Sequence, residues 1–175
     1  MQDYFDFFAI KRRFKIDRKA LRLKYISNSR AYHPDFFTME DGDKQEEVLR
    51  LSTLNNKAYQ VLFEERKRMQ HLLSLYDMFP EEGQSQVPQE FLMDMMEVNE
   101  QLLDAQMSED QKAISGVINE LEAINADLAS VANKAMTDWD ENQDKNKLTE
   151  IKDIYLKQQY LRRLQDRLKG VDPEF

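Results

Sequence analysis

The residues with the clearest chemical potential are His33, Pro34 and Asp35, which follow one another in the segment SRAYHPDFFTMEDGDK. An imidazole next to a carboxylate can act as a general acid and base, but such catalysis also needs a pocket and partner groups that the sequence does not display. A structural interpretation needs no such partners. Proline disfavours the α-conformation of the residue before it, so the tripeptide can end a helix, and Asp35 can accept hydrogen bonds from nearby backbone amides.

The remaining residues do not indicate a metal site. His71 is the only other histidine, and the residue three positions before each histidine is an arginine, so the Glu-x-x-His pattern of di-iron bundles is missing. The chain has no cysteine, which excludes disulfides, zinc–thiolate sites, iron–sulfur ligation by its own sulfurs and cysteine nucleophiles. We therefore expect no bound metal or cofactor and no enzymatic activity.

Composition predicts an all-α fold. The 175 residues are 41% apolar and 33% charged, with only four glycines and four prolines, and strong helix formers dominate. The N-terminus lacks a basic region ahead of its apolar residues, and no apolar run approaches the roughly 20 residues needed to span a bilayer. Together with the absence of cysteine, these features lead us to expect a soluble, cytoplasmic protein.

The charge is distributed unevenly along the chain. Residues 1–76 carry 15 Lys and Arg against 11 Asp and Glu, whereas residues 77–175 carry 10 against 22. Such asymmetry suggests two surfaces for two different partners, although solubility alone would also explain an acidic helical domain. The basic part is too mildly charged to indicate a nucleic-acid partner.

Helix-breaking residues divide the chain in two. The segment MFPEEGQSQVPQ is the only composite breaker, so we predict one domain over 1–76, a linker over 77–89 and a second domain over 90–175. Four helical pieces are predicted in the first domain, with Asp3 as N-cap of the first and Asp17 as N-cap of the second. The first helix is expected to place three aromatic residues on one face: Tyr4, Phe7 and Phe8.

The second domain is predicted to be a bundle of three antiparallel helices, because a single amphipathic helix cannot bury its own apolar stripe. The first helix starts near Pro88, and Ser108 with Gln111 fits a capping box at the start of the second. The second helix carries an apolar seam at spacings of three and four: Ile114, Val117, Leu121, Ile124, Leu128, Val131 and Ala135. The segment DWDENQDKNK interrupts this seam, and a third helix follows with its own stripe: Leu148, Ile151, Tyr155, Leu161, Leu164 and Leu168.

The helix before the tripeptide has two contrasting faces. One side is expected to face the core with Leu21, Tyr25, Asn28 and Tyr32, and nearly the opposite side carries Lys19, Arg22 and Arg30. We call these three cations the basic face. Both faces end at the tripeptide.

This arrangement resembles a J domain, the module by which J-proteins stimulate ATP hydrolysis by the 70-kDa heat-shock chaperones. The match covers about residues 1–76 in four segments: DYFDFFAI, ALRLKYISNSRAYHPD, LNNKAYQVL and ERKRMQHLLSL. The resemblance implies that the chaperone is contacted by the tripeptide and the basic face: His33, Pro34, Asp35, Lys19, Arg22 and Arg30. Many J domains have a basic residue where this chain has Ile26, a departure that fits a specialised chaperone partner.

The first helix of the bundle carries more apolar surface than one face can hold. Phe91, Met95, Val98 and Leu102 can face the core, while Leu92, Met96 and Leu103 form a second stripe. That stripe is bordered by Met93, Glu97, Glu100 and Asp104. It is either part of a broad core face with a solvated acidic edge, or an exposed apolar patch rimmed by carboxylates, which usually marks a protein-binding surface.

A J domain followed by a short linker and an acidic three-helix bundle resembles the HscB family of iron–sulfur cluster co-chaperones, and FLMDMMEVNEQLLD is the most telling match outside the J domain. The resemblance implies two partners, an HscA/DnaK-type chaperone and an IscU-type iron–sulfur scaffold protein. It also implies scaffold contacts at Leu92, Met93, Met96, Glu97, Glu100, Asp104 and, more weakly, Tyr155. Two alternatives stay open: a J-domain protein whose bundle binds a different client, and a purely structural helical protein.

Overall fold

The computed structural model describes residues 1–79 and 87–168, and all regular structure within them is helical. This confirms the predicted all-α fold. The α-helices are α1 (Tyr4–Phe7), α2 (Arg18–Ala31), α3 (Gly42–Phe63), α4 (Glu65–Leu75), α5 (Gln89–Met107), α6 (Gln111–Asn142) and α7 (Lys145–Leu168). A 3-10 helix, Pro34–Phe37, lies between α2 and α3.

The chain divides into two compact units, Met1–Tyr76 and Asp77–Phe175. Most of the predicted linker falls on residues 80–86, and the end of the predicted bundle falls on residues 169–175. Both stretches lie outside the described residues.

The first unit is a helical hairpin of α2 and α3 with α1 and α4 packed beside it. Asp3 and Asp17 cap α1 and α2 as predicted, each accepting hydrogen bonds from two backbone amides. The hairpin is fastened by Tyr25 of α2, whose ring stacks on Tyr59 of α3 with centroids 4.2 Å apart. Asn55 of α3 adds a hydrogen bond from its Nδ2 to the Tyr25 carbonyl at 3.2 Å.

The aromatic residues of α1 bury a different face from the predicted one. Phe5 and Phe8 are buried, whereas Tyr4 and Phe7 are only partly buried. A helix of four residues is barely longer than one turn, so its phase is set by packing against α3 rather than by its own periodicity.

A buried arginine ties α4 to the segment before α2. Arg68 Nε donates to the carbonyl of Phe14 at 2.7 Å, and its Nη1 donates to the carbonyls of Leu62 and, at 3.3 Å, Phe63. Its Nη2 also lies 3.9 Å from the carboxylate of Glu65. These partners offset the large cost of removing a guanidinium from water.

His71 is also buried and has a structural role. Its Nε2 accepts a hydrogen bond from the backbone amide of Tyr4 at 3.2 Å, and its ring stacks on the Tyr4 ring with centroids 4.4 Å apart. Burial lowers the pKa of His71 from its ordinary value; the carboxylate of Asp3 opposes this shift and the guanidinium of Arg12 adds to it. The neutral imidazole is therefore the form that the fold accommodates.

The second unit is an antiparallel three-helix bundle, as predicted. Its helices are joined by the short loops 108–110 and 143–144, which force neighbouring helices to run in opposite directions. Asn99 of α5 links to α7 through a hydrogen bond from its Nδ2 to the Tyr160 hydroxyl at 3.2 Å. One cluster of the core joins all three helices: Phe91, Met95, Val98, Leu102, Val117, Leu121, Leu161 and Leu164.

Both ends of α6 differ from the prediction. Asp110, not Ser108, is its N-cap and accepts hydrogen bonds from two backbone amides. Ser108 instead ends α5, and its hydroxyl donates back to the Asp104 carbonyl at 2.7 Å. At the other end, the predicted interruption contains the observed break at residues 143–144, but α6 continues into that segment as far as Asn142, with Trp139 buried in the bundle.

Candidate functional site

Pro34 ends α2 and begins the 3-10 helix, so the tripeptide of His33, Pro34 and Asp35 forms a tight corner. Tyr32 is the C-cap of α2, and His33 is the N-cap of the 3-10 helix. The Nδ1 atom of His33 accepts a hydrogen bond from the Asp35 amide at 3.3 Å. All three members of the tripeptide are exposed. The helix-stop interpretation is therefore correct in structural terms, and the same corner presents the three side chains to solvent.

The geometry around His33 does not match an acid–base site. Its Nδ1 lies 3.7 Å from the carboxylate of Asp35, beyond hydrogen-bond distance, and both side chains are more than half exposed. An open groove of about 320 Å³ lies on the α3 side of the tripeptide. It is lined by Pro34, Asp35, Phe37, Thr38, Gln45, Glu46, Val48 and Leu49. This surface suits contact with a protein better than it suits chemistry on a small molecule.

The loop between the tripeptide and α3 is held by α3 itself. Gln45 Nε2 donates to the Glu40 carbonyl at 2.8 Å and to the Thr38 carbonyl at 3.3 Å. Asp41 caps α3 by accepting a hydrogen bond from the Lys44 amide at 2.8 Å. These anchors were not predicted from the sequence, although an Asp followed by Gly at the start of a helix is a recognisable capping signal.

The basic face is exposed along α2. Lys19, Arg22 and Arg30 form no ion pair with any residue in the described ranges. Leu23 and Ile26 are exposed on the same helix, so the cations lie beside apolar side chains. A partner with carboxylates next to an apolar strip would complement such a surface.

The inner side of α5 packs into the bundle as predicted, with Phe91, Met95, Val98 and Leu102 buried. Its outer side remains uncovered. Met93, Met96 and Leu103 are exposed by 65%, 70% and 59%, and Leu92 is partly buried. The broad-core interpretation of this helix is therefore wrong for Met96 and Leu103, and the exposed-patch interpretation describes them. We call the seven residues of this surface the α5 patch: Leu92, Met93, Met96, Glu97, Glu100, Leu103 and Asp104.

The α5 patch lies in a negative field. Helix α5 contains five carboxylates and no lysine or arginine: Glu90, Asp94, Glu97, Glu100 and Asp104. Within the described part of the chain, none of the patch carboxylates forms an ion pair. Unneutralised charge of one sign beside exposed apolar side chains favours a partner with basic residues around an apolar contact.

Met107 extends this surface and was not among the predicted site residues. It is 85% exposed, and it completes a series on one face of α5 at spacings of three and four: Met93, Met96, Glu100, Leu103 and Met107. The spacing itself was visible in the sequence, but the same spacing also describes a buried seam. Only the packing of the bundle distinguishes the two.

Tyr155 is a correction to the predicted site. It is only 3% exposed because it lies on the core side of α7, one turn after the buried Ile151. Its hydroxyl accepts a hydrogen bond from Gln159 Nε2 at 2.5 Å, and its ring centroid is 5.7 Å from that of Phe79. Tyr155 therefore supports the bundle and does not provide a surface contact.

Neither described range contains a group of three or more His, Asp or Glu side chains placed to hold a metal ion. Among the helices of these ranges, none has the length and apolar character required to cross a membrane.

Comparison with known proteins gives matches to both units. The family model of the HSCB C-terminal oligomerisation domain matches residues 87–169. The human iron–sulfur cluster co-chaperone protein HscB is 27% identical over 169 residues, which cover 96% of this chain and 68% of that protein. The co-chaperone protein HscB of Proteus mirabilis is 32% identical over 109 residues, which cover 62% of this chain and 63% of that protein.

A solved structure extends the similarity to the arrangement of the helices. The crystal structure of human co-chaperone protein HscB superposes with a TM-score of 0.72 at 26% identity and covers 97% of this chain and 82% of that chain. The family model, the sequence relatives and this structure agree in their similarity to HscB iron–sulfur cluster co-chaperones, the family model over residues 87–169 and the human protein over nearly the whole chain.

Proposed function

We propose that this protein stimulates ATP hydrolysis by an HscA/DnaK-type 70-kDa heat-shock chaperone and delivers an IscU-type iron–sulfur scaffold protein to it. The observation that carries the proposal is the presence of two exposed surfaces of opposite charge on one chain. The first unit presents the tripeptide beside a basic face, and the second presents the acidic α5 patch. An adaptor needs two such surfaces, whereas an enzyme would need an enclosed catalytic site.

The chaperone contact is assigned to the tripeptide and the basic face. His33, Pro34 and Asp35 are exposed at a corner fixed by a 3-10 helix, so little ordering entropy is lost when a partner binds them. Lys19, Arg22 and Arg30 supply exposed positive charge on the adjoining helix. Charges of this kind raise the association rate and orient the partner.

The scaffold contact is assigned to six residues of the α5 patch, Leu92, Met93, Met96, Glu97, Glu100 and Asp104, with Leu103 adding apolar area. Burying Leu92, Met96 and Leu103 would contribute about 4–9 kcal/mol at roughly 1.5–3 kcal/mol each, before the cost of association. Because micromolar binding needs about 8 kcal/mol net, charge pairs at the rim must add to this apolar contribution; such a moderate affinity suits a cargo that must be handed on. Flexible methionine side chains help such a surface adapt to its partner.

In this proposal the chain carries out no chemical step and binds no cofactor. It holds the scaffold on one unit, triggers nucleotide hydrolysis in the chaperone with the other, and allows the chaperone to capture the scaffold. Its location is proposed to be the cytoplasm.

Self-association is a second candidate role for the bundle, because the matching family model is described as an oligomerisation domain. The α5 patch could then meet the same patch of another copy. Charge argues against that pairing, since it would bring together two helices that each carry five carboxylates and no cation. Sedimentation at several protein concentrations distinguishes the candidates: a monomer–dimer equilibrium lost on Met96→Glu would support self-association through the patch.

Two assays on the purified full chain test the proposed function. The first is retention of a purified IscU-type scaffold, which the wild type should show and the double variant Leu92→Ala, Met96→Ala should lose while keeping its helicity. The second is single-turnover ATP hydrolysis by the chaperone, which His33→Gln should no longer stimulate. Each variant serves as the control for the other assay, because each should disable one surface only.

A charge-matched pair refines the test. Arg22→Gln removes one cation from the basic face, and Lys112→Gln removes one exposed cation from α6. We expect Arg22→Gln to weaken stimulation at low salt and Lys112→Gln to leave it unchanged.

Normal scaffold retention by the double alanine variant, or normal stimulation by His33→Gln, would contradict the assignment of the corresponding surface.

A further inference from the structure

Three methionines on α5 are unusually accessible. Met93, Met96 and Met107 are exposed by 65%, 70% and 85%, whereas Met95, which lies between two of them in the sequence, is only 2% exposed. Met136 of α6 is buried as well. The bundle therefore contains two groups of thioether sulfurs that differ sharply in their access to solvent.

Accessible thioethers react with peroxides. A sulfur lone pair attacks one oxygen of hydrogen peroxide, the O–O bond breaks, one oxygen atom stays on sulfur and the other leaves as water. The sulfur is oxidised by two electrons to the sulfoxide while the peroxide is reduced. Because the oxidant must reach the sulfur atom, exposed methionines react before buried ones.

We propose that Met93 and Met96 form a reversible oxidation site, at which hydrogen peroxide converts the α5 patch from an apolar to a polar surface and so releases the scaffold protein. This inference rests on the proposed function, because it concerns control of the same patch. Met107 lies on the same face and is oxidised with them.

The effect on binding follows from the chemistry of the sulfoxide. A sulfoxide carries a strongly polar S=O bond, so burying it against an apolar partner leaves a hydrogen-bond acceptor without a donor. The neighbouring patch carboxylates, Glu97 and Glu100, are acceptors too and cannot supply that donor. Oxidation should therefore weaken binding even though the side chain stays almost the same length.

The fold should survive this modification. The sulfurs that support the core, those of Met95 and Met136, are shielded by the bundle. The exposed group contributes little to the core, so its oxidation costs little folding stability. The modified protein is thus expected to remain helical while losing the scaffold.

The first experiment maps the oxidation. The full chain is treated with hydrogen peroxide at neutral pH, and incorporated oxygen is located by peptide mass spectrometry over time. Met93, Met96 and Met107 should gain oxygen well before Met95. Oxidation of Met95 at the same rate as its neighbours, with helicity intact, would overturn the site.

The second experiment measures binding of a purified IscU-type scaffold before and after peroxide. Oxidised wild type should bind about tenfold more weakly or worse, and a methionine sulfoxide reductase should restore the affinity. The variant Met93→Leu, Met96→Leu conserves volume and apolarity but has no sulfur to oxidise at these two positions, so its affinity after peroxide should equal its own affinity before peroxide. The matched control Met39→Leu removes an exposed methionine from the first unit and should stay peroxide-sensitive.

The outcomes separate this inference from the proposed function. If the untreated chain does not bind the scaffold, the proposed function fails, and the oxidation site is still judged by the mass-spectrometric comparison of Met93 and Met96 with Met95. If the untreated chain binds and the oxidised chain binds equally well, with both sulfoxides confirmed, the control by oxidation is wrong and the scaffold contact stands.

Discussion

The tripeptide of the first unit projects from the end of a helix, whereas the α5 patch of the second unit lies along the middle of one. His33, Pro34 and Asp35 owe their positions to a proline and to a loop that α3 holds in place. The patch residues owe theirs to the core behind them, because Met95 and Phe91 fix which side of α5 faces outward. The first surface should therefore be sensitive to its loop anchors, and the second to its core.

The dependence of the α5 patch on the core behind it is tested most strongly at two adjacent methionines. We expect Met95→Glu to destabilise the bundle by about 4 kcal/mol or more, because it places an unpaired carboxylate in an apolar core. Met96→Glu, one residue along, should change the free energy of unfolding by about 0.5 kcal/mol or less, since its side chain is exposed. Urea unfolding followed by circular dichroism measures both. Equal costs for the two variants would mean that α5 has a different rotation about its axis.

In the first unit, the corresponding test concerns the buried Arg68. Arg68→Met should cost about 2–4 kcal/mol, because the carbonyls of Phe14 and Leu62 lose a charged donor. Arg66→Met, on the same helix, loses only a surface ion pair with Glu64 at 3.6 Å and should cost about 0.5 kcal/mol or less. Thermal unfolding of the two variants provides the measurement. A Tm of Arg68→Met equal to that of Arg66→Met would contradict the stabilising role of the Arg68 hydrogen bonds.

The residues that sequence analysis placed correctly depend on local chemistry. The caps Asp3 and Asp17 act within three residues of themselves, and Pro34 acts on the residue before it. The inner face of α5 was also predictable, since a helix of 19 residues repeats its apolar spacing several times. In each case the signal and its structural consequence lie in the same short segment.

The misplaced residues depend on partners that are distant in the sequence. Val131 continues the seam of α6 in the sequence but is 45% exposed, because the antiparallel α5 begins near this level. The neighbouring Ala132, which is outside the predicted seam, is buried, as is Ala135 of the seam. Tyr155 belongs to the apolar stripe predicted for the third bundle helix; its scaffold contact was implied by the family resemblance, and nothing local showed that packing in the bundle would bury it almost completely. Met96 had two open interpretations for the same reason. Periodicity gives the faces of a helix, but tertiary packing decides which face is covered.

A smaller effect is expected at the loop anchor. Gln45→Ala removes two hydrogen bonds to the loop carbonyls of Thr38 and Glu40. Their loss should destabilise the ordered conformation of the loop by about 1 kcal/mol. If the tripeptide needs that order, stimulation of the chaperone ATPase should fall by about fivefold while helicity stays unchanged. Lys44→Ala, which loses only an exposed ion pair with Glu47, is the neighbouring control. Unchanged stimulation by Gln45→Ala would show that the loop does not need its anchor.

The smallest expected effect is the pH dependence that the buried His71 gives to the stability of the first unit. His71 is buried, with a pKa lowered from its ordinary value chiefly by burial, so the unfolded chain binds a proton more readily than the folded one. The stability that follows from this difference is complete above about pH 6.5, the ordinary histidine pKa, and is lost as the pH falls below it. Urea unfolding between about pH 7.5 and about pH 5.5 should show this decline in the wild type. His71→Gln, which has no titrating ring, should lose stability at both pH values but show a shallower decline. A decline of equal slope in His71→Gln would mean that other groups cause it, and the buried imidazole would then be ruled out as the acid-sensitive element of this unit.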